Sequence, residues 1–277
     1  MRPWKQLLVR IPVLGRCLLT VLRAKVGWAY LRPAQCNLLK WLLTSRELTN
    51  FTYDLEEDNR HYLAAMIADV SGQPYQVVLG YFREVEGDAE LRAHLESATR
   101  TSELAFMADS PVRYGRRIGW YALARALKPK VVIETGIDKG LGSCVLTAAL
   151  RRNSREGAAG RYYGMDINPK AGYLLSGEYA KYGQVLYGDS IESLRAFEGS
   201  IDLFITDSDH SADYEAREYH VIADKLSPGA VILGDNAHCN DKLLQFSLAN
   251  GRRFLFFKEQ PKDHWYPGGG IGISFKR

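Results

Sequence analysis

After residue 130 the chain alternates between two periods. Short apolar, β-branched runs at 131–134, 162–166, 184–187, 201–207, 230–235, 253–258 and 270–275 predict strands. Segments of helical period lie between them at 143–152, 171–181, 191–197, 212–225 and 241–249. Strands that alternate with helices predict a parallel sheet covered on both faces. No helix separates the last two strands, so they are expected to pair antiparallel.

Before residue 130 the pattern is helical throughout. One helix is expected around 61–67 and stops at Ser71-Gly72-Gln73-Pro74. Others are expected at 75–85, 89–97 and 116–127, the last ended by Lys128-Pro129. The first 46 residues differ again. Leu7, Ile11, Leu14, Leu18 and Leu22 recur at helical spacing, with Lys5, Arg16 and Arg23 on the opposite side. Pro12 and Gly15 are expected to break or delay this helix. The reading divides the chain into a basic amphipathic leader (1–46), a helical preface (47–114) and a catalytic domain (115–277).

Charge sharpens this division. The leader holds nine Lys or Arg and no acid, whereas residues 47–277 hold 27 bases and 32 acids. The formal net charge of +4 is therefore the sum of a basic segment and a mildly acidic body. A basic amphipathic helix can lie in a membrane interface, cover the catalytic domain or pair with a second subunit. No stretch reaches the roughly 20 apolar residues of a membrane span. Hydrophobic residues make up 46% and charged residues 25%, which excludes disorder and leaves ample core. The four cysteines are scattered without metal-site spacing, as expected for free thiols in a reducing, cytoplasmic setting.

Four strand candidates end in an acid: Glu134, Asp166, Asp207 and Asp235. Gly188-Asp189-Ser190 follows another. Ligands of an open parallel sheet bind beyond the carboxyl ends of its strands. One such acid can simply cap the next helix; five on one rim point to a ligand. The first turn, from Glu134 to Ser143, has Gly136 and Gly140 but lacks the spacing of a pyrophosphate cradle. Asp138 in that turn repels phosphate, which favours a neutral or cationic nucleoside. Asp166 can accept from ribose hydroxyls and Asp189 from an adenine amine, with Ser190 adding a neutral donor. Asp189 and Ser190 can equally be a helix cap.

The ordered set Glu134-x-Gly136-x-x-x-Gly140, Asp166, Gly188-Asp189-Ser190, Asp207-Ser208-Asp209-His210, Pro228-Gly229 and Asp235-Asn236 resembles class I S-adenosylmethionine-dependent methyltransferases. It is most similar to the small-molecule O-methyltransferases of the catechol and caffeoyl-coenzyme A type, in their bacterial branch. The resemblance covers about residues 115–277. It implies a Rossmann-like doubly wound α/β sheet of seven strands, mostly parallel, with an antiparallel C-terminal strand. It also implies that Glu134, Gly136 and Gly140 line the methionine part of the cofactor, Asp166 the ribose, and Asp189 with Ser190 the adenine.

Asp207, Asp235 and Asn236 match the positions where metal-dependent members hold Mg2+, and hard oxygen ligands suit Mg2+ or Mn2+. His210 stands where the family carries a basic residue, so Asp207 and His210 are the expected catalytic pair. The implied reaction moves a methyl group to a hydroxyl of a small molecule, sugar, polyketide or lipid-linked acceptor. Tyr114, Arg116 and Arg117 could touch either ligand, and the two arginines could equally be solvated helix charges. The aromatic loop at 260–270 could cover the acceptor or contact another subunit of a homo-oligomer. Two further readings stay open, a nicotinamide-dependent oxidoreductase and a binding module without turnover. No nucleic-acid partner is expected, because the catalytic half lacks a basic stripe.

Overall fold

The computed structural model describes residues 12–276. They fall into two units, one of residues 12–45 with 263–267, the other of residues 46–262 with 268–276. The leader positions Leu7 and Ile11 lie outside the described residues.

The smaller unit is built on helix α1 (Pro12–Thr44). Proline suits the first turn of a helix, where its missing N–H has no partner to lose. Gly15 is carried inside the helix, as is Pro33, so neither breaks it. Near the C-terminal end Trp41 meets Trp265 edge to face, with centroids 5.4 Å apart. Asn37 donates to the carbonyl of His264 (3.4 Å). The tip of the aromatic loop thus packs with α1.

The larger unit begins with α2 (Glu57–Ser71), α3 (Tyr75–Glu86), α4 (Ala89–Thr101) and α5 (Arg117–Leu127). Gly72 ends α2 in the left-handed conformation that glycine tolerates best. Asp88 caps α4 by accepting from the Leu91 N–H. The preface and the sheet belong to one compact unit.

A seven-stranded sheet follows: β1 (Val131–Thr135), β2 (Arg161–Asp166), β3 (Gly183–Tyr187), β4 (Ile201–Thr206), β5 (Leu226–Gly234), β6 (Arg253–Lys258) and β7 (Gly270–Phe275). Its order is β3-β2-β1-β4-β5-β7-β6. The first five strands are parallel, and β7 is antiparallel to both β5 and β6. The helices α6 (Leu141–Arg155), α7 (Ser190–Ala196), α8 (Ala212–Ile222) and α9 (Lys242–Ala249) connect them. The segment 171–181, expected to be helical, forms turns and a short 3-10 turn at Tyr179–Tyr182. Gly172 and Gly177, both at positive φ, interrupt any helical ladder there.

Alternation along β1 sets the two faces. Ile133 packs with Leu194, Phe204, Tyr219, Ile222 and Leu243 in the core under α7, α8 and α9. Glu134 points the other way, against Gly142 and Trp120. Chain order reverses between β1 and β4, so a crevice opens at their carboxyl ends.

Arg125 clamps the preface to the sheet. It is buried and donates to Glu84 (2.7 Å), to both oxygens of Glu156 (2.6 and 3.2 Å) and to Asn153. Together Arg125 and Lys128 hold the Glu156 carboxyl at about 2. Removing one partner of a buried pair costs about 3–5 kcal/mol, and less where the stranded acid reaches water. Glu156 is partly exposed, so Arg125→Ala is expected to lower stability by about 2–3 kcal/mol, read as a fall in the urea midpoint at unchanged slope.

Candidate active site

The ladder runs one bond past the ends of the central strands. Gly136 N donates to Met165 O (2.8 Å), Asp207 N to Thr135 O (2.8 Å), Asp235 N to Thr206 O (2.9 Å) and Gly188 N to Asp166 O (2.9 Å). Asp166, Asp207 and Asp235 are thereby brought to one level of the rim. Glu134 sits two residues below it, and Asp189 lies just beyond β3.

On the β1–β3 side the carboxylates are bound to the chain itself. One Asp166 oxygen accepts from Ile137 N (3.0 Å) and Asp138 N (3.2 Å); the other accepts from Asn168 N (2.8 Å). A carboxylate offers about four lone-pair sites, so Asp166 keeps room for one more donor. It shapes the first turn and keeps one acceptor position unused. Asp138 adopts a positive φ of 45°, a conformation aspartate tolerates better than most residues.

The two glycines of that turn answer to the protein. A Cβ on Gly136 would lie 2.1 Å from the Asp207 carbonyl, and one on Gly140 would meet Gly172 at 3.0 Å. Gly188, at φ 141°, instead borders open space.

Asp189 caps α7 through Glu192 N (3.1 Å), and its second oxygen accepts from Tyr214 (3.2 Å). Ser190, expected beside the adenine, is buried and turned to the protein. Its hydroxyl donates to Glu218 (2.6 Å). Glu218 also accepts from Thr206 (2.5 Å) and Ser208 (2.9 Å) and is fully buried. Burial raises its pKa despite those hydrogen bonds. Glu134 is buried too, accepts from the Tyr162 hydroxyl (2.6 Å), and is pushed up by burial to about 7. A cavity of about 480 Å³ lies beside this half, lined by His94, Thr101, Ser102, Lys170, Tyr173 and Ser176 among others.

The β4–β5 side is different. Arg116 Nη2 donates to Asp235 Oδ2 (2.6 Å), and its Nε lies against the other oxygen. The same guanidinium approaches Asp207 (3.8 Å) and Glu259 (3.9 Å). Arg117 lies 3.9 Å from Asp207, and Tyr53 donates to Glu259 (2.7 Å). Both arginines are largely buried, not solvated helix charges. Burial works against the Asp235 charge, but Arg116, the neighbouring Asp207 and Arg117 together outweigh it and keep the carboxyl low. Burial and the neighbouring Asp235 charge push Asp207 well above the usual carboxylate range. Two carboxyls held apart in this way can divide proton binding from charge.

His210 joins Asp207 and Asp235, with ligating atoms of all three within 4.8 Å of one another. Its Nε2 is 3.7 Å from Asp207 and its Nδ1 3.6 Å from buried Glu215. Asn236, expected to ligate a metal, directs its amide nitrogen to His210 Nε2 (3.0 Å). Two oxygens and one imidazole nitrogen at this spacing fit a divalent ion. Glu215, Glu218 and Glu259 were the residues the sequence did not single out, and Arg116 and Arg117 were expected as ligand contacts or helix charges, not as partners of Asp235 and Asp207. Only the inward spacing of Glu215 and Glu218 on α8 could have marked any of them.

Residues 133–237 match a family model described as "Methyltransferase domain". Residues 133–237, which run from β1 to just past β5, are thus similar to methyltransferase domains. No curated protein matches it. Among solved structures, cofactor-bound Rv0187 from MTB is 19% identical, with 68% of this chain and 90% of that one covered and a TM-score of 0.50. A Podospora anserina methyltransferase, PaMTH1, bound to SAH is 18% identical over 73% and 95%, with a TM-score of 0.49. A Bacillus cereus O-methyltransferase in complex with SAH is 16% identical over 66% and 91%, also at 0.49. At 19% identity the likeness to the first of these speaks to the fold.

The pairing of His210 with Glu215 fixes a pH dependence. Glu215 raises the His210 pKa above the ordinary imidazole value, outweighing burial. The neutral, proton-accepting form therefore accumulates only above that value. Methyl transfer is expected to rise with pH through this limb. Glu215→Gln is expected to move the limb to lower pH, as read from kcat/KM profiles.

Proposed function

We propose that the chain moves the methyl group of S-adenosylmethionine to a hydroxyl of a small acceptor: a phenol, sugar, polyketide or lipid-linked molecule. The observation that carries this reading is the meeting of Asp207 and His210, from one strand end, with Asp235 at the next. When bound, S-adenosylmethionine supplies a methyl carbon already activated by a positive sulfur. The spare lone pair of Asp166 would accept from its ribose. The free edge of Asp189 and the open space at Gly188 would receive its base. Ile167, three-quarters exposed beside Asp166, offers that base an apolar face. The acidic rim suits the sulfonium charge, and Asp138 disfavours a phosphate-bearing ligand.

His210 would take the acceptor's proton at Nε2 as the acceptor oxygen bonds to the methyl carbon and the carbon–sulfur bond breaks. Glu215 would hold the opposite ring nitrogen and stabilise the imidazolium that forms. Asp207 would orient the hydroxyl. Alignment and exclusion of water would supply the rest of the rate.

Where Asp207, His210 and Asp235 hold a Mg2+ or Mn2+ ion instead, His210 Nε2 would be a ligand and not the base, and the ion would lower the pKa of the acceptor hydroxyl in its place. The two-point contact of Arg116 with Asp235 favours a second reading, in which the guanidinium is the resident cation of the site. Exhaustive chelation separates the two. A loss of about 100-fold or more that Mg2+ or Mn2+ restores supports the ion. A rate indifferent to chelator supports Arg116.

The two halves of the rim are expected to respond differently to mutation. Asp166→Ala should weaken S-adenosylmethionine binding roughly 10- to 100-fold by calorimetry, the worth of a charged hydrogen bond. Asp207→Ala should leave that affinity within a few-fold and lower kcat by about 100-fold or more. Equal loss of cofactor affinity in both variants would overturn this division.

A further inference from the structure

The smaller unit presents a surface that methyl transfer does not use. Helix α1 carries Arg16, Arg23, Lys25, Arg32 and Lys40 and no acidic residue. Val21, Trp28, Leu31, Leu39 and Leu42 are each more than half exposed, and Leu14 is half exposed. At about 100° per residue these six fall within roughly 100° of arc, on one side of the helix. The stripe is not the one formed by Leu14, Leu18 and Leu22, of which the last two are half-buried. Nor is it the side of Asn37 and Trp41, which face the loop at His264 and Trp265.

Two occupants could cover such a stripe, a second copy of the helix or a lipid surface. Charge decides between them. Lys25 and Arg32 border the stripe, so two copies packed through it would bring like charges together with no acid to offset them. An anionic surface meets Lys25 and Arg32 favourably, and Arg16, Arg23 and Lys40 on the other sides of the helix add a longer-range attraction. Long basic side chains at the edge of an apolar stripe can reach headgroups while their stems stay buried. Indole rings favour the same interfacial depth, and Trp28 on the stripe is exposed. The helix has 33 residues, but no described helix is long and apolar enough to cross a membrane. Arg23, Lys25 and Arg32 in its middle require it to lie flat.

We propose that α1 docks the protein on anionic phospholipid, with the Leu14–Leu42 side turned into the interface. The proposal is independent of which acceptor the catalytic unit takes.

Full-length protein is mixed with vesicles of phosphatidylcholine alone or with 30% phosphatidylserine, and partition is measured by flotation. Binding to the anionic vesicles, absent from the neutral ones and weakened by 0.5 M NaCl, is expected. The full-length variant Arg23→Glu, Lys25→Glu, Arg32→Glu should partition at least 100-fold less, since each base near such a surface is worth several-fold. Leu31→Ser with Leu42→Ser should also lower partition about 10-fold or more. Retained methyl transfer to a soluble acceptor, or failing that an unchanged circular dichroism spectrum, shows that the variants remain folded. Equal binding to neutral vesicles, no binding to either, or full binding by the charge variant would overturn the proposal. So would a dimer in vesicle-free buffer that the two serine substitutions dissociate, which would assign the stripe to a second copy.

Discussion

The structure turns on hydrogen bonds made one residue beyond the sheet. A parallel ladder normally ends with its strands, yet here the backbone N–H groups of Gly136, Gly188, Asp207 and Asp235 each bond to the neighbouring strand's last carbonyls. The consequence is geometric. Carboxylates from β2, β4 and β5 are fixed at one height by main-chain bonds that do not depend on their own side chains. A one-residue slip of any strand would turn its acid to the opposite face and empty that position of the rim. The requirement also explains Gly136, since any Cβ there would collide with the carbonyl of Asp207, whose N–H closes the ladder.

Gathering so many acids in one place is costly unless each finds a counterpart. Two solutions are used, and they divide the site. Glu134 and Glu218 are satisfied by hydroxyls: Tyr162 for one, and Ser190, Thr206 and Ser208 for the other. Neutral donors tolerate a shared proton, which accords with the upward shift of both groups. Asp235 is satisfied by a guanidinium and stays charged. Asp207 lies between the two regimes, beside a fixed negative charge and too far from either arginine for a direct hydrogen bond. An acid left with an incomplete set of partners is the one that has most to gain from a ligand. In the proposed reading, chemistry is therefore concentrated at Asp207 and His210 rather than spread along the rim.

Much of this was legible from the chain alone. Period-two runs located every strand within a few residues, because a strand buried on both faces has to be apolar and short. The acids at strand ends were legible for the same reason, since a charge interrupts an apolar run at a visible place. Partners across the fold were not. Nothing near Ser190 in sequence announces Glu218, 28 residues away, so a helix-start serine reads as a ligand donor when its hydroxyl faces inward. Arg116 precedes a helix, where a solvated charge is ordinary. Its burial follows only once β5 delivers Asp235 and the end of β6 delivers Glu259. The segment 171–181 misled for a local reason: its apolar spacing is helical, but Gly172 and Gly177 are needed at positive φ.

The net charge of +4 conceals the most informative feature of the composition. A uniform excess of that size would create a weak field around the whole molecule. Here the excess lies in the first 46 residues, and the remainder is acidic by five. Screening limits each charge to about 8 Å at physiological ionic strength, so an external surface senses local charge and not the total. The acidic rim can then favour a cationic methyl donor while α1 favours an anionic partner, without either field cancelling the other. Such opposed preferences are compatible in one chain because the charges are segregated along the sequence, and a version with the same composition evenly mixed would have neither.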